Sequence, residues 1–240
     1  MAGGVTPDEV RALAQEHYGP IPASAEIAPR ARPAEPPQIA DRRIVLEDER
    51  VANPYVSRSY LAPVRRSGAQ EEAAALSLLA EILGGSGSTS VLSQKLEVED
   101  QRSIYTSAFY DATSLDPSGF SVVNVPLPGT PLDEAEADLD RVLASFLETG
   151  VDPEQFARIQ FQIQADAIYS ADNAQGLARR YGVALTSGLT VEDVQTWPDV
   201  LAATTIDDVM AAARRLFEET TSVTGYLTRP ELPATQEVTQ

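Results

Sequence analysis

The segment between Gln70 and Leu96 constrains the fold most, because it joins a strongly apolar helix to a glycine-serine loop and a second short helix. Apolar residues recur there at helical spacing and form one broad stripe, which consists of Ala73, Leu76, Leu79, Ala80, Ile82 and Leu83. Gly84 and Gly85 are expected to end this helix. A stripe this wide predicts a helix that packs against a sheet.

Five further segments have the alternation of strands, and they lie at 43–49, 54–62, 103–112, 119–127 and 222–228. Turn residues between Asp116 and Gly119 predict that the third and fourth strands form a hairpin. Capping residues and apolar stripes predict five helices between this hairpin and the last strand, the fourth of them short and ended by Trp197-Pro198. Strands in adjacent antiparallel pairs, with helices grouped after them, predict an α+β fold in which a helical layer covers one mostly antiparallel sheet.

A separate helix is predicted near the beginning of the chain, where Thr6-Pro7-Asp8-Glu9 combines a capping threonine, a first-turn proline and a glutamate three residues after the cap. Its apolar stripe, which includes the only histidine, His17, is too small to fold alone, so a packing role is expected for that side chain. Residues 23–41 form a Pro/Ala-rich linker, which separates residues 1–22 from a main domain at 42–229. Residues 230–240 are interpreted as a polar tail.

Charge and composition exclude several classes of partner. The chain has 36 acidic and 18 basic residues, and its formal net charge of −18 argues against binding to nucleic acid or to an anionic membrane. The electrostatic field of this negative net charge attracts cationic peptides. Neither a signal peptide nor an apolar run long enough to cross a membrane is recognisable, and there is no cysteine for a disulfide or a thiolate metal site.

Three groups of residues are candidates for a functional site. The loop from Gly84 to Ser90 has the glycine content of a phosphate-binding loop, but it lacks the required lysine and follows a helix, so a helix stop and tight turn is predicted instead. His17 has no second histidine for a metal site and stands outside the main domain, which argues against histidine-dependent catalysis. Arg179, Arg180 and Tyr181 form either a solvated helix face with one packed tyrosine or a binding site.

The order of these motifs resembles a known family. Ala73 to Gly85, with Ser93-Gln94-Lys95-Leu96 and Ser103-Ile104-Tyr105, resembles the C-terminal, non-zinc domain of insulinase/pitrilysin-type metallopeptidases, the group that includes mitochondrial processing peptidase. The segments 167–169, 177–182 and 188–194 are similar to its bacterial branch. Residues 1–22 resemble the end of the preceding, zinc-binding domain and are interpreted as its remnant.

This resemblance implies that two homologous domains enclose a peptide and have different roles. The first domain carries H-x-x-E-H, in which two histidines bind zinc and the glutamate acts as general base. Here the corresponding helix, Gln70 to Leu83, contains no histidine, so we expect no catalytic residue and no metal ligand on this chain, and zinc in a partner half or subunit. The chain alone is therefore expected to be inactive.

The second domain of the family contributes substrate contacts, and the resemblance assigns these to Arg180 and Tyr181, with Arg179 beside them. The spacing between arginine and tyrosine that is usual in the family is absent here. Two functions remain open: the substrate-enclosing half of a zinc-dependent metalloendopeptidase that acts on peptides, or a non-catalytic binding and assembly module of the same fold. Bacterial relatives imply a periplasmic location, for which the chain itself carries no signal.

Overall fold

A computed structural model of the chain describes residues 3–22, 36, 38–85, 87–170 and 172–230. The helices and strands follow in the order α1 (Pro7–Tyr18), β1 (Arg42–Glu47), β2 (Tyr55–Ala62), α2 (Glu71–Gly84), β3 (Ser103–Tyr110), β4 (Ser118–Pro126), α3 (Leu132–Thr149), α4 (Pro153–Ser170), α5 (Ala174–Thr186), α6 (Val191–Ala203), α7 (Ile206–Arg214) and β5 (Ser222–Thr228). A 3-10 turn (Gly87–Thr89) and a π-helix (Ser93–Glu99) follow α2, and a π-helical turn (Arg215–Glu219) follows α7. Most of the predicted linker and residues 231–240 of the predicted tail lie outside the described residues.

The strands form one sheet in the order β1-β5-β2-β4-β3. β1 pairs with β5 in parallel, and the other neighbouring pairs are antiparallel. The predicted α+β fold is confirmed, as is the β3–β4 hairpin. The expectation that strands pair with their neighbours in sequence is wrong for β1 and β2, because β5 from the end of the chain lies between them. No local turn signal reports such a long-range insertion.

Helix α2 lies at the centre of the helical layer, as its broad apolar stripe predicts. Ten of its 14 residues are buried, and it packs against β3, β4, α4, α6 and α7. Its last residue, Gly84, touches the backbone of β3 so closely that a Cβ atom there would lie 2.0 Å from the Ala108 nitrogen. Glycine therefore sets how near the end of α2 can come to the sheet.

Helix α6 runs through Pro198 to Ala203, so the prediction that it ends at Trp197-Pro198 is wrong. Val194 and Leu201, on either side of the proline, are both buried. The guanidinium of buried Arg65 lies 4.0 Å from the Trp197 ring centroid, and it donates a hydrogen bond to the backbone carbonyl of Asp193 at 2.8 Å. Tertiary packing along the helix thus outweighs the cost of an internal proline, which is about 3 kcal/mol.

Helix α1 begins with the predicted capping box between Thr6 and Glu9. None of its residues is buried, and His17 is exposed, so the packing role expected for this histidine is wrong. The helix lies beside α5 across a cavity of about 590 Å³ that borders Val10 and Leu177. The apolar stripe of α1 is therefore left largely uncovered within the part of the chain that the structure describes.

Candidate functional site

Helix α5 carries the three residues predicted to contact substrate. The Asn173 side chain caps the helix by accepting a hydrogen bond from the Gly176 amide at 2.9 Å. Arg180 is exposed, and its Nη2 atom donates to the Oγ atom of Ser170, the last residue of α4, at 2.8 Å. This bond joins α5 to the end of α4 and holds the Arg180 guanidinium at the corner between the two helices.

Tyr181 is half-buried and faces a different direction. Its side chain packs against a small cluster formed by Ala184, Leu189 and Val194, and it also borders the cavity between α1 and α5. Arg179 is exposed. Because consecutive helix residues point about 100° apart, these three side chains leave α5 in different directions. Their role in substrate binding stays a prediction.

Helix α2 stands where the resemblance places the zinc motif, and its side chains do not fit a metal ion. The residues that it buries are alanine, leucine, isoleucine and glycine. Across the described ranges, no group of three or more His, Cys, Asp or Glu side chains lies close enough to hold a metal. The predicted helix stop is present, since α2 ends at Gly84 and Gly87–Thr89 form a 3-10 turn.

The side-chain amide of Gln155, at the start of α4, links the 3-10 turn to the end of α2 by hydrogen bonds. It donates to the carbonyl oxygens of Ile82 and Thr89, at 3.2 and 2.9 Å. Gln155 is buried, so these bonds satisfy an amide that would otherwise be costly to desolvate. They hold the glycine-serine loop as a packed structural turn.

A cluster of charged residues around Glu136 joins α3 to the sheet, and the sequence alone did not indicate it. Glu136 of α3 is 8% exposed and accepts hydrogen bonds from Arg43 Nη2 at 2.5 Å, from Arg58 Nη2 at 2.7 Å and from the Tyr226 hydroxyl. Burial acts to raise the pKa of Glu136, but the hydrogen bonds from these donors outweigh burial and lower the pKa to about 2.

This cluster connects α3 to three strands of the sheet, because Arg43, Arg58 and Tyr226 belong to β1, β2 and β5. Arg58 also pairs with Asp140, one turn further along α3. The charged side chains are paired with one another, so we interpret the cluster as a structural link between α3 and the sheet. Its sequence signal was an acidic residue beside Ala135 and Leu139 on the apolar face of α3.

None of the helices within the described residues is both long and apolar enough to cross a bilayer.

The comparisons with known proteins agree with the fold. The structure of a protease from Helicobacter pylori matches with a TM-score of 0.85 and 20% identity, over 95% of this chain and 54% of that chain. The peptidase M16 inactive domain from Pseudomonas fluorescens matches with a TM-score of 0.68 and 15% identity, over 95% of this chain and 52% of that chain.

The periplasmic protease PqqL from Escherichia coli matches with a TM-score of 0.67 and 16% identity, over 95% of this chain and 25% of that chain. At these identities the similarity shows the fold, and the chain spans about half the length of the Helicobacter protease. No curated protein matches the sequence significantly. Residues 1–163, however, match the family described as the peptidase M16 inactive domain. The chain therefore belongs to the M16 peptidases, the insulinase/pitrilysin family, as an inactive domain.

Proposed function

We propose that this chain is the substrate-enclosing half of a zinc-dependent metalloendopeptidase, and that a partner half with an H-x-x-E-H motif supplies the catalytic centre. The observation that carries the proposal is helix α2, which is built from buried alanine and leucine at the place where the resemblance implies zinc ligands. The inactive-domain match and the coverage of half of the Helicobacter protease support it. Residues 1–22 would belong structurally to the zinc-bearing half, since α1 buries none of its residues here.

The contribution of this chain would be to bind and orient the peptide. Arg180 and Tyr181 would donate hydrogen bonds to a peptide carbonyl as negative charge develops on its oxygen, with Arg179 adding positive charge nearby. The net charge of −18 favours cationic peptides among possible substrates. Because PqqL is described as periplasmic, we place this peptidase in the same compartment.

The proposal is tested by reconstitution. The purified chain is expected to hydrolyse no peptide alone, whereas mixing it with the product of a neighbouring H-x-x-E-H reading frame should create peptidase activity. A chelator should remove that activity and added zinc should restore it. Chelator-sensitive hydrolysis by the chain alone would contradict the proposal, and a stable but silent complex would favour the assembly module instead.

Substitution of Tyr181 by phenylalanine tests the residue assignment in the reconstituted enzyme. We expect turnover to fall about tenfold, because the variant loses one hydrogen bond to a developing charge while its ring still packs on α5 and α6. Tyr105→Phe, on an exposed position of β3, is the matched control and should leave turnover unchanged. Equal turnover of the Tyr181 variant and the wild type would remove this residue from the site.

A further inference from the structure

Helix α4 has a second apolar surface in addition to the one that packs in the core. Its inner face contributes Phe156 and Ile159, which are buried. Its outer face presents large apolar side chains to solvent: Phe161 and Ile168 are each 72% exposed, and Tyr169 is 76% exposed. We call Ala157, Phe161, Ala165, Ile168 and Tyr169 together the outer ridge.

The spacing of the outer ridge is that of a helix-packing surface. Phe161, Ala165 and Ile168 follow one another at positions i, i+4 and i+7, so they form a single stripe about 10 Å long. The small Ala157 and Ala165 leave gaps beside the two large side chains. Large residues that alternate with gaps allow the ridges of a second helix to pack into this surface.

Charge is scarce along the same stretch of helix. The outer ridge spans 157–169, and in that stretch two of 13 residues, Arg158 and Asp166, are charged, whereas the whole chain has 36 acidic and 18 basic residues among 240. A helix face that stays in water is normally polar or charged. Interface cores, by contrast, are depleted of charge and enriched in aromatic residues. The composition of the outer ridge is therefore that of a buried interface.

We propose that the outer ridge is the docking surface for the zinc-bearing half, which packs one of its helices along it. This inference rests on the proposed function. The chain spans 54% of the Helicobacter protease, so a half of similar size must find its contact surface on this domain. The ridge ends at Tyr169, next to Ser170, which holds Arg180. Docking there places the zinc-bearing half beside the residues proposed to bind substrate.

The test introduces a charge into the ridge of the complete chain. We expect Phe161→Glu and Ile168→Glu each to raise the dissociation constant for the purified zinc-bearing half at least tenfold, measured by isothermal titration calorimetry. Both side chains are exposed, so circular dichroism and the melting temperature of the isolated chain should stay at wild-type values. Ile44→Glu replaces an exposed apolar residue on β1 and is the matched control, with an unchanged dissociation constant.

The outcomes separate the two proposals. If the wild-type chain does not bind the zinc-bearing half, the proposed function fails and this inference fails with it. If the wild type binds and the ridge variants bind equally well, the ridge inference alone is wrong. Unchanged binding with a raised KM would show that the ridge contacts substrate. Unchanged binding with a wild-type dimer that Phe161→Glu converts to a monomer would assign the ridge to a second copy. Either result overturns the inference.

Discussion

Replacement of Gly84 by alanine is expected to destabilise the domain by about 3 kcal/mol, the upper end of the usual cost of overpacking a core. The added Cβ atom would lie 2.0 Å from the Ala108 nitrogen and 2.4 Å from the Ser107 carbonyl carbon. Both are backbone atoms of a paired strand, so neither can rotate away. Helix α2 would have to move off β3, although its other neighbours also hold it in the core. Urea denaturation at neutral pH measures the decrease in the free energy of unfolding.

Gly182→Ala is the matched control for this prediction. No atom outside its own helix lies within 4 Å of a Cβ built at Gly182, which is in α5. The alanine should therefore act only through helix propensity and stabilise the domain by up to about 1 kcal/mol. The close contact between α2 and β3 would be contradicted if the Gly84 and Gly182 variants unfolded at the same urea concentration.

Glu136→Gln is expected to destabilise the domain by about 3 kcal/mol, because loss of one partner from a buried ion cluster leaves the other charges uncompensated. Among the described residues, Arg58, whose side chain is 12% exposed, would keep only Asp140 as an ion-pair partner, beside its hydrogen bond to the Thr224 hydroxyl. Glutamine has nearly the same shape, so the change reports on charge rather than on packing.

The control is Glu134→Gln, two residues away on the same helix. Glu134 pairs with Arg102 at 3.1 Å, and its side chain is 55% exposed. Loss of a solvent-exposed pair of this kind should cost less than about 1 kcal/mol. Equal losses in the two variants would show that the Glu136 cluster has no special role in joining α3 to the sheet.

Acid stability provides an independent measurement of the same cluster. The pKa of Glu136 is lowered from 4.5 to about 2 in the folded protein, despite burial, by its hydrogen bonds from Tyr226, Arg43 and Arg58. The unfolded chain therefore binds a proton at this residue more readily, so its stabilising effect is complete above pH 4.5 and is lost as the pH falls towards 2. Urea midpoints of Glu136→Gln should fall less steeply over this range than those of the wild type. Parallel curves would contradict the assignment.

Local interactions explain which elements could be predicted from the sequence. The capping box at Thr6 and Glu9 depends on atoms three residues apart, and the turn after β3 depends on neighbouring residues, so both are recognisable in the sequence. The wide apolar stripe of α2 likewise predicts its burial. The absence of histidine from that helix is a property of the sequence, and it carries the conclusion that the zinc motif is not on this helix.

Contacts between distant parts of the chain determine the structural features that local sequence patterns did not predict. The insertion of β5 between β1 and β2 joins the two ends of the domain. The convergence of Arg43, Arg58 and Tyr226 on Glu136 joins residues that lie 78 to 93 positions from it in the sequence. Packing on both sides of Pro198 overrode the local preference for a helix end.

The same distinction applies to the candidate site. The sequence identified Arg179, Arg180 and Tyr181 as neighbours, but only the positions of α1 and α4 decide that they face different surroundings. The outer ridge is recognisable in the sequence as a second apolar stripe on α4. Its exposure, however, depends on which face of the helix packs in the core. Apolar spacing shows that a face can be buried, whereas the tertiary structure determines which face is buried and which remains available to a partner.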